Sequence, residues 1–163
     1  MEAGLHCALG LAMIPGGSVL PAKALAEFHG VSESYLLKHL QVLTAAGILQ
    51  AVPGPRGGYR LARPARKVTV LSVVLAIEGP EPAFRCTEIR QRGPCAGPPS
   101  AYVLPCAINR TMLRAEAAWR KELEGVTIAD LAGEIVRKAD ATSAGWAAEW
   151  VEARLRYQKE HHE

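Results

Sequence analysis

The chain has 163 residues, 49 % of them apolar, and a formal net charge of +3, which suits one folded domain with an arm and excludes a disordered tail. No apolar run reaches the roughly 18–20 residues of a membrane span, and residues 1–14, though apolar, carry Glu2 and His6 and lack the basic start of a secretory signal. A cytoplasmic protein is expected, so Cys7, Cys86, Cys95 and Cys106 read as metal-binding, redox or buried thiols rather than disulfides.

Leu5, Leu9, Ala12 and Met13 recur at helical spacing over residues 3–14, and Pro15-Gly16-Gly17 stops them. Residues 22–29 form a short second helix closed by Gly30. Ser32 then caps a third helix, with Val31 placed to staple onto Leu36. That helix runs to about residue 46 with Leu36, Leu40 and Leu43 inward and Gly47 as its stop. Two helices joined by a tight turn at His29-Gly30-Val31 have the spacing of a helix-turn-helix, whose second helix enters a DNA major groove. Residues 48–52 and 59–61 read as strands flanking the turn cluster Pro53-Gly54-Pro55-Arg56-Gly57-Gly58. A hairpin with a basic tip behind a helix-turn-helix is a wing. Between Ser34 and Ile77 there is no Asp or Glu, while Lys38, Arg56, Arg60, Arg63, Arg66 and Lys67 all fall there. Such a block in a nearly neutral chain points to a polyanionic partner.

Residues 69–78 form an apolar helix on Val70, Val73, Val74 and Ile77, ended by Gly79-Pro80. Six of the eleven prolines lie in residues 80–105, which read as an irregular loop. A long helix follows from Cys106 to about residue 123, and its stripe Ile108, Met112, Ala115, Trp119 is the seam of a helix that packs on another helix, either within the core or across a dimer interface. Thr127 and Asp130 make a capping box that opens a helix with Ile128, Leu131 and Ile135 on one face. A last helix is expected over residues 144–159, with Trp146, Trp150, Ala153 and Tyr157 in register as packing residues, before an exposed tail at His161-His162-Glu163. There is no phosphate-binding glycine loop, no nucleophile beside a base and no pair of acids suited to a pocket, so an enzyme is not expected.

The stretches AKALAEFHGVSESYLLKHLQVLTAAGIL, GGYRLARP and VTVLSVVLAIEGPEPAFRC resemble the family of small bacterial winged-helix regulators that includes IscR and NsrR, over about residues 2–135. The resemblance implies a mainly α fold with a small β-wing. It implies a winged helix-turn-helix over residues 1–79, a cluster-binding loop over 80–105 and a dimerisation helix with its following helix over 106–138. A C-terminal helix and tail over 139–163 complete the chain. It also implies a homodimer on double-stranded DNA at a palindromic operator, with no membrane partner. Ser34, Tyr35, Lys38, His39 and Gln41 fall away from the leucine stripe and become the candidate DNA contacts of the third helix. Arg56 and Arg60 are those of the wing. Family members often carry an arginine in a V-R-G turn where this chain has Val52-Pro53-Gly54, so a minor-groove arginine contact falls to Arg56.

Many members hold an iron–sulfur cluster on cysteines spaced C-x5-C-x5-C, whereas Cys86, Cys95 and Cys106 are spaced C-x8-C-x10-C. CTEIRQRGP at residues 86–94, CAINRTM at 106–112 and AEAAWR at 115–120 instead resemble the redox-sensing, RsrR-type branch of the family. That branch implies a [2Fe-2S] cluster on two cysteines, one histidine and one glutamate, here Cys86, Cys106, His6 and Glu2. Glu2 and His6 are four residues apart, so they share a helix face and can meet one iron. Harder nitrogen and oxygen donors raise the potential of such a cluster, and an imidazole ligand can couple reduction to protonation. The two pairs lie far apart in sequence, which allows them to come from different subunits, and Cys95 falls outside the set. Two alternatives stand beside this one: a three-cysteine cluster on Cys86, Cys95 and Cys106 sensing nitric oxide or cluster supply, and a cluster-free regulator answering to thiol chemistry or a partner.

Overall fold

A computed structural model of the chain describes residues 1–157. Its first helix, α1 (Glu2–Ala12), turns Ala3, Cys7, Ala8 and Leu11 into the core, the spacing of an amphipathic helix. β1 (Ser18–Val19) leads into α2 (Ala22–Phe28), and a turn through Gly30, whose φ of 63° suits glycine, leads into α3 (Glu33–Ala45). Ser32 caps α3 by accepting the Tyr35 N–H at 3.3 Å. Leu36, Leu40 and Leu43 are wholly buried, and this stripe fixes the rotation of α3 against α1 and α4 (Val70–Glu78).

The wing is an antiparallel pair of β2 (Leu49–Val52) and β3 (Gly58–Leu61), with Gln50 opposite Arg60 and Ala51 opposite Tyr59. Tyr59 exchanges backbone bonds with Leu20, donating at 2.8 Å and accepting at 3.1 Å, so the hairpin lies beside β1. Gly58 permits that approach, because a Cβ there would stand 2.5 Å from the Leu20 carbonyl oxygen. The two-stranded wing on a mainly helical body is the winged-helix fold read from the sequence.

Beyond α4 the chain runs through a loop, containing short 3-10 turns at Ile89–Gln91 and Pro99–Tyr102, into α5 (Ala107–Glu124). No side chain of α5 is buried within the protomer. α6 (Ile128–Lys138) returns to pack on α1, its start fixed by the capping box: Asp130 N–H donates to Thr127 Oγ1 at 3.1 Å, and Thr127 N–H to Asp130 Oδ2 at 2.9 Å. No helix among the described residues is long and apolar enough to cross a membrane.

The end of the chain departs from expectation. The helix predicted over 144–159 starts earlier and ends earlier, as α7 (Ala141–Glu152), and the chain then returns as a short strand, β4 (Arg156–Tyr157), antiparallel to β1. Trp150 packs against the body, but Trp146 is 69 % exposed and Tyr157 is an exposed strand residue, so only part of the predicted aromatic row packs. The extended form gains backbone pairing to β1, a long-range partner that no local period reports. His161, His162 and Glu163 lie outside the described residues.

A candidate nucleic-acid interface and two ligand pairs

The buried leucines of α3 leave Ser34, Tyr35, Lys38 and Gln41 exposed on the opposite side. His39 lies on the flank instead, half-buried, with its ring edge-on to Tyr35 at 4.8 Å and its Nε2 enclosed without a hydrogen-bond partner. Burial pulls its pKa below the ordinary histidine value. On the wing, Arg60 donates from Nε to Gln50 Oε1 across the hairpin at 3.0 Å, which steadies the guanidinium on the strand. Arg56 is exposed at the turn. The turn is tight at Gly57, where a Cβ would collide with the Val52 carbonyl oxygen. Arg63, Arg66 and Lys67 are exposed in the segment that follows the wing. Beyond Glu33, the first residue of α3, the exposed face of that helix and the wing thus carry positive charge, and residues 34–77 contain no carboxylate.

The four candidate ligands fall into two separate pairs. Glu2 and His6 stand one turn apart on the outward side of α1, both exposed, opposite the face that enters the core. The His6 ring lies 5.6 Å from that of His29 at the end of α2. Burial, and then the nearby His6, lower the pKa of His29. Cys86 and Cys106 form the second pair, at the two ends of the loop, each half-buried. Glu88 stands between them. Its Oε1 lies 3.7 Å from Cys86 Sγ as acceptor, and the nearby backbone of Cys106 helps to lower its pKa. Arg90 donates to the same carboxylate at 2.7 Å and holds it below the usual carboxylate range. Arg90 also bonds the Leu104 carbonyl at 2.7 Å and lies over the Tyr102 ring, so the loop is folded upon itself around one ion pair.

Among the described residues no three His, Cys, Asp or Glu side chains gather into a group ready for a metal ion. The Cys86–Cys106 pair and the Glu2–His6 pair therefore remain apart in one protomer. Cys95 is exposed on the loop. Cys7 is fully buried and its thiol is pushed up to about 12, which makes it a core residue. Sequence reasoning passed over Glu88, whose place beside Cys86 depends on how the loop folds and on a left-handed backbone, φ 49°, that nothing in CTEIRQRGP announces.

The Rrf2 family model, described as an iron-dependent transcriptional regulator, matches residues 1–134. Protein aau3 of Rhizobium meliloti (strain 1021) is 38 % identical over 107 residues, an alignment spanning 66 % of this chain and 66 % of that relative, just under two thirds of its length. Among solved structures, the oxidized form of Staphylococcus aureus CymR is 26 % identical with a TM-score of 0.60, over 80 % of this chain and 90 % of that one. IscR of T. potens is 22 % identical with a TM-score of 0.62, over 88 % and 91 %.

Proposed function

Because the chain belongs to the Rrf2 family of transcription regulators, which are not enzymes and bind DNA as dimers, we propose that it is a homodimer that reads a palindromic operator and whose affinity is set by a [2Fe-2S] cluster. The observation that carries the DNA half is the acid-free basic stretch, whose charges fall on the exposed side of α3 at Lys38, on the wing at Arg56 and Arg60, and in the segment after it at Arg63, Arg66 and Lys67. Ser34 and Tyr35, near the N-terminus of α3, suit base edges, with Gln41 further along the same exposed side; Lys38 suits a phosphate or a guanine, and Arg56 and Arg60 suit the backbone or minor groove beside them. His39, on the flank of α3, supports the helix from the side.

The dimer half rests on α5. An amphipathic helix of 18 residues with Ile108 64 % exposed, and Met112 and Trp119 exposed as well, has an apolar stripe and nothing in the protomer to cover it. A second α5 is the natural cover. Cys106 is the residue immediately before α5, so pairing these helices brings the cysteine pair to the subunit boundary.

The cluster half rests on the donor set. Two thiols, an imidazole and a carboxylate, in two accessible pairs, fit two irons with two protein donors each, provided that one subunit supplies Cys86 and Cys106 and the other supplies Glu2 and His6. When bound, the cluster supplies a one-electron change of charge at this boundary. The residues do the rest. Glu88 lies beside Cys86 and near the backbone of Cys106, and the Glu2–His6 pair lies on the back of a helix whose front packs on α3 and α4. A shift of α1 is then passed to the reading helix through tightly packed side chains.

A second reading has its own support: Cys86, Cys95 and Cys106 are all accessible on one loop, and a similar fold, CymR, has been solved in an oxidized form. Visible absorption with iron and sulfide assay, on protein purified without oxygen, separates the two. About two irons and two sulfides per protomer, kept in Cys95→Ser and lost in Cys86→Ser and His6→Ala, is the expected result. Loss in Cys95→Ser points to the three-cysteine cluster, and colourless, iron-free protein that still binds DNA leaves thiol chemistry as the sensor.

A further inference from the structure

The C-terminal segment, α7 and β4, lies beyond the part of the chain that matches the family. It is bound to the winged domain at several independent points. The Trp150 ring stands 5.3 Å from that of Phe28, at the end of α2. Arg154 lies 3.8 Å over the Trp150 ring and reaches Glu27 Oε2 at 3.7 Å. Val151 and Leu155 pack against the core. β4 then pairs with β1, Val19 opposite Arg156. From that anchored position the Arg156 guanidinium reaches the wing turn, donating from Nη1 to the Pro55 carbonyl at 2.9 Å and to the Gly57 carbonyl at 3.1 Å.

Those two carbonyls flank Arg56 in the chain. The wing is small, two strands of four residues each, and its turn is built of prolines and glycines around the backbone bond from Gly57 N–H to the Gly54 carbonyl at 2.8 Å. Hairpins of this size are marginal without outside support, and a charged donor makes a stronger bond than a neutral one. We infer that Arg156 is a positioning residue for the wing, setting where the Arg56 side chain is presented to DNA. The inference rests on the DNA-binding reading for its consequence. Its structural part, the hold on the turn, stands on the contacts themselves.

The test has two arms, run on Arg156→Ala and Arg156→Lys, the second of which keeps charge and length but replaces the guanidinium fork by a single ammonium. In the first, backbone amide exchange is followed in the free protein. Exchange over residues 52–60 should speed up about tenfold in both variants while that of α3 and α4 is unchanged. In the second, affinity is measured for a duplex recovered by selection from a random-sequence pool. Arg156→Ala should weaken binding about tenfold in the wild-type background and have little effect in an Arg56→Ala background. Unchanged exchange in the wing overturns the assignment, and so does an equal loss of affinity in both backgrounds. A wild-type chain that binds no duplex sinks the DNA-binding reading, and the exchange arm still decides whether Arg156 holds the turn.

Discussion

The four cysteines show how far environment separates one side-chain type. Cys7 belongs to the same buried core as Leu11, Leu40 and Leu43, and burial pushes its thiol up to about 12. Cys86 and Cys106 are half-buried beside Glu88, and Cys95 is exposed. Since the thiolate is the reactive form, alkylation of metal-free protein at about pH 8 should label Cys95 fastest, Cys86 and Cys106 after it, and leave Cys7 unmodified until the chain is denatured. Mass mapping of the labelled peptides checks this, and early labelling of Cys7 would remove it from the core. On α3, the exposed Lys38 is expected to contact a phosphate, so Lys38→Ala should weaken binding to all duplexes and reduce the slope of log affinity against log salt by about one. An unchanged slope takes Lys38 off the list of phosphate contacts. At this scale the leucine stripe was readable in the sequence because a helix period of 3.6 turns spacing directly into facing. The sideways turn of His39 was not, since whether a residue at the edge of a helical face is enclosed depends on what packs beside it.

Among the elements, α5 is the one that does not account for itself. Its apolar stripe is exposed along its length, whereas the stripes of α1, α3 and α4 are covered within the protomer. Met112→Glu should therefore convert the dimer to a monomer by sedimentation while leaving helix content and the melting of the winged domain nearly unchanged, because no buried contact of the protomer is removed. A variant that stays dimeric would move the interface elsewhere. The helices from α1 to α5, the hairpin and the Thr127–Asp130 cap were legible from period and capping residues, to within one or two residues at each end, whereas the last helix starts three residues and ends seven residues before its expected bounds. The strand at Arg156–Tyr157 was not, because its partner, β1, is at the other end of the chain. The aromatic spacing of Trp146, Trp150 and Tyr157 imitates a continuing helix that the backbone leaves at Ala153.

At the scale of the whole molecule, α1 joins the candidate sensing and reading surfaces. Its outer side presents Glu2 and His6, and its inner side packs on α3, α4 and α6. The recognition helix is thus one layer of side chains away from the candidate ligands. The ligand types and the basic stretch could be read from sequence, but their separation into two pairs within the protomer could not, since it is a property of the folded arrangement. On the proposed reading, that separation makes the dimer a condition for a four-donor site and couples the operator-binding form of the dimer to the state of the cluster. The most direct test is the affinity of dimer purified without oxygen for a duplex selected from a random-sequence pool, at one fixed salt concentration, before and after reduction by dithionite. The account predicts a change of about tenfold or more, abolished in His6→Ala. Equal affinity in the two states, with the cluster shown by its absorption to have been reduced, would contradict it.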